Sequence, residues 1–206
     1  MQVYGDLHSG NCYKVKLVMN LLNIAHAWIH TDILNGDTHT TSFKLKNPNS
    51  KIPLLELDDG RCLSESNAII NYLADGSHLV PDDPFLRAQV QQWQFFEQYS
   101  HEPYIAVARY INKYLKLPAE RVAEYQAKQE GGHKALAVME QQLAGQPFIA
   151  GDSFTTADVS LYAYTHVADE GGFELAIYPA IEQWLARVAE QPGFITMQQT
   201  LSGHQV

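Results

Sequence analysis

The stretch from Asn47 to Ser66, Asn-Pro-Asn-Ser-Lys-Ile-Pro-Leu-Leu-Glu-Leu-Asp-Asp-Gly-Arg-Cys-Leu-Ser-Glu-Ser, constrains this chain more than any other. Ile52 to Leu57 is apolar and branched, Asp58-Asp59-Gly60 supplies a turn, and Arg61 to Leu63 returns, which reads as a hairpin. Glu65 and Ser66 then open a helical run from Asn67 to Ala74. Pro53 stands where the first strand begins, a place that proline tolerates because no ladder N–H is needed there. The peptide between Ile52 and Pro53 is therefore left to bind something other than a neighbouring strand. The Ser66 hydroxyl and the first N–H groups of the helix form a place for a carboxylate, since helix N-termini favour anions. Together these features suit a small peptide-like ligand. Each piece alone reads equally as an ordinary hairpin or a capped helix.

The flanking segments give the hairpin a context. Val3 to Leu7 reads as a strand and His8 to Asn11 as a turn. A helix follows with Cys12, Val15, Val18 or Met19, and Leu22 on one face. Ala27 to Ile33 is a second strand, and a right-handed crossover sets it parallel to the first. A polar loop from Asn35 to Thr41 enters a short helical piece, Ser42 to Lys46. The order β-α-β-(α)-β-β-α is that of a thioredoxin-like domain, placed at 1–76. The segment 77–86, with Pro81, Asp82, Asp83 and Pro84, has linker composition. From 87 to 206 the pattern is helical. Pro103 marks a bend, and Gly131-Gly132 predicts a break in the long helix from Val122 to Leu143, because glycine is costly there. Thr155-Thr156-Ala157-Asp158 is a capping box with Phe154 and Val159 as its staple. Replacing Asp158 by Ala is expected to cost about 0.5–2 kcal/mol on capping alone.

Charge narrows the function. Fourteen Lys+Arg against 23 Asp+Glu give a formal charge of -9, which argues against a general binder of nucleic acid or acidic membranes. No apolar run has the length to span a bilayer. The opening Met1-Gln2-Val3-Tyr4 enters a strand directly, so no signal peptide is expected. Cys12 and Cys62 are too few for a disulfide scaffold and wrongly spaced for zinc. A reducing cytoplasm and no metal are the expectations.

Asn47-Pro48, Lys51-Ile52-Pro53-Leu54-Leu55 and Ser64-Glu65-Ser66-Asn67-Ala68-Ile69 resemble the glutathione-site signature of the cytosolic glutathione transferase superfamily. The capping box resembles one in that family's helical domain, so the likeness spans nearly the whole chain. The fold it implies is an α/β thioredoxin-like N-terminal domain followed by an all-α C-terminal domain. In the family the proline is cis, the residue before it (Ile52 here) pairs through its backbone with the cysteinyl part of glutathione, and the Glu65-Ser66 pair holds the γ-glutamyl end. Ser50 stands where the family often has glycine.

The resemblance also implies roles for the remaining candidates. Ser9, at the start of the first helix, matches the hydroxyl that donates to the glutathione sulfur in serine-type members. A free thiol with pKa about 8.5 is only a few per cent thiolate at pH 7, and lowering that value to about 6.5 takes roughly 2.7 kcal/mol of selective stabilisation. One hydroxyl beside a helix N-terminus can supply much of that. Ser9 as a plain N-cap is the structural alternative. Asn11 is a second donor to the sulfur, and Cys12 a candidate for a mixed disulfide with glutathione. Lys51 and His39 match basic positions that meet the glycine carboxylate. Tyr104, Ala108 and Ile111 are the candidates for a second-substrate pocket between the domains, with Arg109 as either a ligand contact or an ion pair. The expected protein is a cytoplasmic homodimeric transferase of detoxification type, joining glutathione to a small hydrophobic electrophile or reducing a hydroperoxide with it. A glutathione-dependent reductase using Cys12 or Asn11 and a non-catalytic glutathione-binding scaffold are the alternatives.

Overall fold

The computed structural model describes residues 1–202, and the chain forms two compact units. The first holds Met1–His78 together with the segment from Gln191 onward; the second is Leu79–Glu190. The helical domain expected over 87–206 therefore gives up its last stretch to the first unit.

In the first unit, β1 (Gln2–Gly5), α1 (Gly10–Leu21) and β2 (Ala27–His30) make the parallel crossover, with Gln2 opposite Ala27 and Gly5 opposite His30. A short helix α2 (Thr41–Lys46), capped by the Thr40 hydroxyl, leads to β3 (Leu54–Glu56), β4 (Cys62–Ser64) and α3 (Ser66–Ala74). The sheet order is β2-β1-β3-β4. β3 runs antiparallel to both neighbours, with Leu54 opposite Tyr4 and Ser64. Val3, Val15, Val18, Leu54, Leu55, Ile69 and Ile70 are fully buried, so α1 and α3 pack together over the sheet.

Both early strands stop sooner than their apolar runs because aspartates offer the backbone other partners. The Asp6 carboxylate accepts from the His8 N–H, which ends β1 at Gly5. Asp32 accepts from the N–H groups of Leu34 and Asn35 while its own N–H donates to Asp37, and β2 ends at His30.

In the helical unit, α4 (Pro84–Phe96) starts at Asp83, whose carboxylate accepts from Phe85 and Leu86 N–H groups. A π-helical turn over Glu97–His101 joins it to α5 (Glu102–Arg109). The bend expected at Pro103 is thus a widened turn, which accommodates a residue with no N–H and a bulky ring. A second π turn, Tyr110–Tyr114, closes the segment, and Lys116 and Leu117 end it in left-handed backbone.

The long helix α6 (Val122–Leu143) is unbroken, contrary to the expectation at Gly131-Gly132. Both glycines are places of close approach. A Cβ on Gly131 would lie 2.2 Å from the Tyr104 ring, and one on Gly132 would lie 2.2 Å from the ring of Phe173. The chain continues through α7 (Thr156–Thr165) and α8 (Pro179–Ala189). The capping box is present, and Asp158 accepts from Thr155 N–H and hydroxyl, Ile149 N–H and Trp184 Nε1–H while fully buried. A last helix, α9 (Met197–Ser202), has too short a pattern to announce itself in the sequence. Among the described residues no helix is long and apolar enough to cross a membrane.

Candidate active site

The hairpin approach is braced from within. Asn47 is buried, its Nδ2 donating to Lys51 O at 2.8 Å and its Oδ1 accepting from Asn49 N–H at 3.1 Å. Ser50 has φ 55°, the left-handed region in which glycine meets no Cβ penalty, so the serine takes up a conformation that suits the more permissive residue. The Ile52–Pro53 peptide is cis, and Pro53 is buried at the entrance to β3.

At the other end of the hairpin Glu65 is exposed with φ 69°, a backbone region that costs a non-glycine residue energy and that clusters at ligand clamps. The next residue, Ser66, is buried as the first of α3. Its hydroxyl donates to Asn11 Oδ1 at 3.1 Å and accepts from Lys14 Nζ at 3.3 Å. This contact brings the start of α1 and the start of α3 into one polar cluster. Lys14 is fully buried, and sequence reasoning missed it. The available signal was a cation one helical turn after Asn11, within the otherwise apolar run of α1.

Ser9 occupies the N-cap position of α1, yet its hydroxyl accepts from none of the helix N–H groups. It stands near the thiol of Cys12, whose ionisation it favours. The plain N-cap reading of Ser9 therefore does not describe its side chain. Cys12 is fully buried, with its sulfur against Gly5, where a Cβ would meet it at 2.8 Å. Burial pushes this thiol up to about 12, against the opposing effects of the Ser9 hydroxyl, the Asp6 backbone and the Lys14 charge. A group that is almost entirely thiol at neutral pH and sealed from solvent does not suit a mixed disulfide. Tyr4 is not available to a ligand sulfur either. Its hydroxyl donates to Glu56 at 2.7 Å and accepts from Lys46 at 2.7 Å, beside a cavity of about 440 Å³ also bordered by His30 and Phe43.

His39 and Lys51 are both exposed, and neither side chain makes a hydrogen bond or ion pair among the described residues. Among the described residues no hydrogen bond ties them to Ser9, Asn11 or Ser66. In the helical unit Tyr104 is half-buried, its ring over Gly131 and 5.6 Å from the Lys128 ammonium. Ala108 and Ile111 are fully buried and expose no side chain to solvent. Arg109 is buried in an ion pair with Glu170 at 2.6 Å, with Lys113 on the same carboxylate. His166 stacks on Tyr162 with centroids 4.7 Å apart, and burial drives its imidazole down to about 4, which leaves it neutral at pH 7. Among the described residues no group of three or more His, Cys, Asp or Glu side chains is placed to hold a metal ion.

Two family models match the chain: the glutathione S-transferase N-terminal domain over residues 3–78 and the glutathione S-transferase C-terminal domain over residues 94–192. A crystal structure of glutathione S-transferase from Pseudomonas fluorescens Pf-5 superposes with a TM-score of 0.94. It is 59% identical and covers 95% of this chain and 98% of its own. An uncharacterized GST-like protein of Streptococcus mutans is 30% identical over 78% of this chain, which spans only 65% of that protein's length. The disulfide-bond oxidoreductase YfcG of Escherichia coli is 25% identical over 88% of this chain and 87% of its own.

Proposed function

The chain belongs to the glutathione S-transferase family, whose co-substrate is glutathione, and we propose that it is a serine-type glutathione transferase. In this reading the backbone of Ile52, ahead of Pro53, meets the cysteinyl part of glutathione, and Glu65 and Ser66 hold the γ-glutamyl end. His39 and Lys51 supply positive charge for the glycine carboxylate. Ser9 donates to the sulfur, with Asn11 as a second donor. The thiolate then donates its electron pair to an electrophilic carbon of a small apolar substrate, expelling a leaving group with its bonding pair or adding across a double bond whose far end takes up a proton. With a hydroperoxide it attacks the terminal oxygen, and the O–O bond breaks to release an alcohol. A second glutathione converts the resulting sulfenic acid to glutathione disulfide and water. Tyr104, Ala108 and Ile111 remain the candidates for contact with that second substrate; for Ala108 and Ile111 this requires movement of the surrounding helices.

The observation that carries this reading is the hydrogen bond from Ser66 to Asn11, which joins the anion-holding start of α3 to the sulfur-side start of α1. Calorimetry of glutathione binding and absorbance of the bound thiolate test it, on the unmodified protein and on Ser9→Ala, with a chlorodinitrobenzene-type electrophile on the same samples. Turnover and thiolate absorbance lost in Ser9→Ala while binding persists is the expected result. Full rates in Ser9→Ala transfer the role to Asn11.

A second reading is supported by the name of the E. coli relative. The same glutathione thiolate can attack a disulfide substrate, forming a mixed disulfide and expelling the other sulfur as thiolate; a second glutathione then releases the product. No protein cysteine is required, so Cys12→Ala is expected to retain any such activity. The homodimer expected of the family is supported by the exposed faces of Phe85, Phe95 and Tyr99 along one side of α4 and the turn after it. Sedimentation of Phe95→Glu as a monomer, against a dimer for the unmodified protein, is the corresponding outcome.

A further inference from the structure

Lys14 stands out because a core position on α1 needs no charge. Its neighbours Cys12, Tyr13, Val15, Leu17 and Val18 are fully buried, and an apolar side chain would pack there without the desolvation cost of an ammonium. The ammonium sits behind Ser66. An ammonium only donates, so the Ser66 oxygen accepts from Lys14 and its single proton points to Asn11. The serine is thus polarised from behind by a full charge and lies within the positive end of α3. An anion arriving at Ser66 takes over the hydroxyl proton from Asn11 and finds Lys14 one hydroxyl group further back.

We propose that Lys14 is the positioning residue of this anchor: a buried cation that acts through Ser66 to select the α-carboxylate of the γ-glutamyl end over an uncharged group. The proposal rests on the reading of Ser66 as the γ-glutamyl anchor. It also sets the ligand's orientation, since the same charge repels the neighbouring α-ammonium and holds it on the outer side.

The test is calorimetry with two ligands, glutathione and its analogue with the γ-glutamyl α-carboxylate converted to a primary amide. Each is titrated into the unmodified protein, Lys14→Met, Lys14→Gln, Lys14→Arg and Ser66→Ala, with folding checked by thermal melting. Lys14→Met is expected to raise the dissociation constant of glutathione about tenfold or more and to leave that of the amide within about twofold. Lys14→Arg should recover part of the loss. Lys14→Gln keeps a donor to Ser66 without the charge and carries the test if the Met variant fails to fold. Equal weakening of both ligands, or of neither, overturns the role of Lys14 while a loss in Ser66→Ala still upholds the anchor. No effect of Ser66→Ala on glutathione, or no binding by the unmodified protein, overturns the anchor itself and Lys14's role with it.

Discussion

Two buried side chains show how environment decides chemistry at the level of single residues. Cys12 sits three residues after Ser9, where sequence alone leaves it a candidate nucleophile, and its burial against Gly5 opposes that role. With the thiol pushed up to about 12, only about one molecule in ten thousand is thiolate at pH 8. Native protein treated with iodoacetamide at pH 8 should leave Cys12 unmodified by mass spectrometry, and denaturant should expose it. Rapid labelling of Cys12 in the native protein would revive the cysteine mechanism. Asp158 is the opposite case, an acid surrounded by four donors and still moved by burial up to about 6 from an ordinary 3.8. The folded state holds this proton more tightly than the unfolded chain. Its contribution to stability is therefore complete below about pH 4 and is lost as pH rises through about 6. Urea unfolding of the unmodified protein against Asp158→Asn should show their difference shrinking by about 2 kcal/mol between pH 4 and pH 7. Asp158→Ala strands buried donors on Ile149 and Trp184 as well as the cap. It should cost roughly 3 kcal/mol, above the capping value alone.

Single elements separate what local chemistry decides from what packing decides. The hairpin from Asn47 to Ser66 was readable because its determinants are local: proline at a strand start, a turn, and a serine at a helix start. The left-handed Ser50 belongs to the same local set. The length of α6 was not readable, since Gly131 and Gly132 argue for a break until Tyr104 and Phe173 are placed against them. Lys14 escaped for the same reason, because its burial depends on α3 packing over α1. These glycines make a prediction that opposes intrinsic propensity. Alanine at an exposed helical position gains up to about 1 kcal/mol over glycine. At Gly132 the added methyl would meet the fully buried Phe173 at 2.2 Å, and overpacking of that kind costs about 1–3 kcal/mol. Gly132→Ala should therefore lower stability by about 1 kcal/mol net in urea, and Gly131→Ala by less, because Tyr104 is half-buried and can yield. A stabilised Gly132→Ala would mean that the ring moves aside freely.

The chain as a whole passes from the first unit to the second at His78–Leu79 and returns at Glu190–Gln191, so the first unit is built from two separate stretches of sequence. The returning segment is fastened to α1 by backbone acceptors. Tyr13 donates its hydroxyl to Ile195 O and Asn20 its amide to Gly193 O, both at 2.7 Å. Gly193 holds φ 82°, where a side chain is strained, and a Cβ added there would lie 3.1 Å from the Leu21 backbone. Met197 and Thr200 are buried beyond it. Tyr13 stands one residue from Lys14 and two from Asn11, so the segment braces the helix that carries both. Burying one methionine contributes about 2 kcal/mol and the two hydrogen bonds about 1 kcal/mol more between them. A chain ending at Glu190 should lose roughly 3 kcal/mol of first-unit stability, seen as faster hydrogen exchange at α1 amides with the amides of α6 unchanged. Equal acceleration in both helices would instead mean that the two units unfold as one, and unchanged exchange in α1 would mean that the returning segment contributes nothing to its hold.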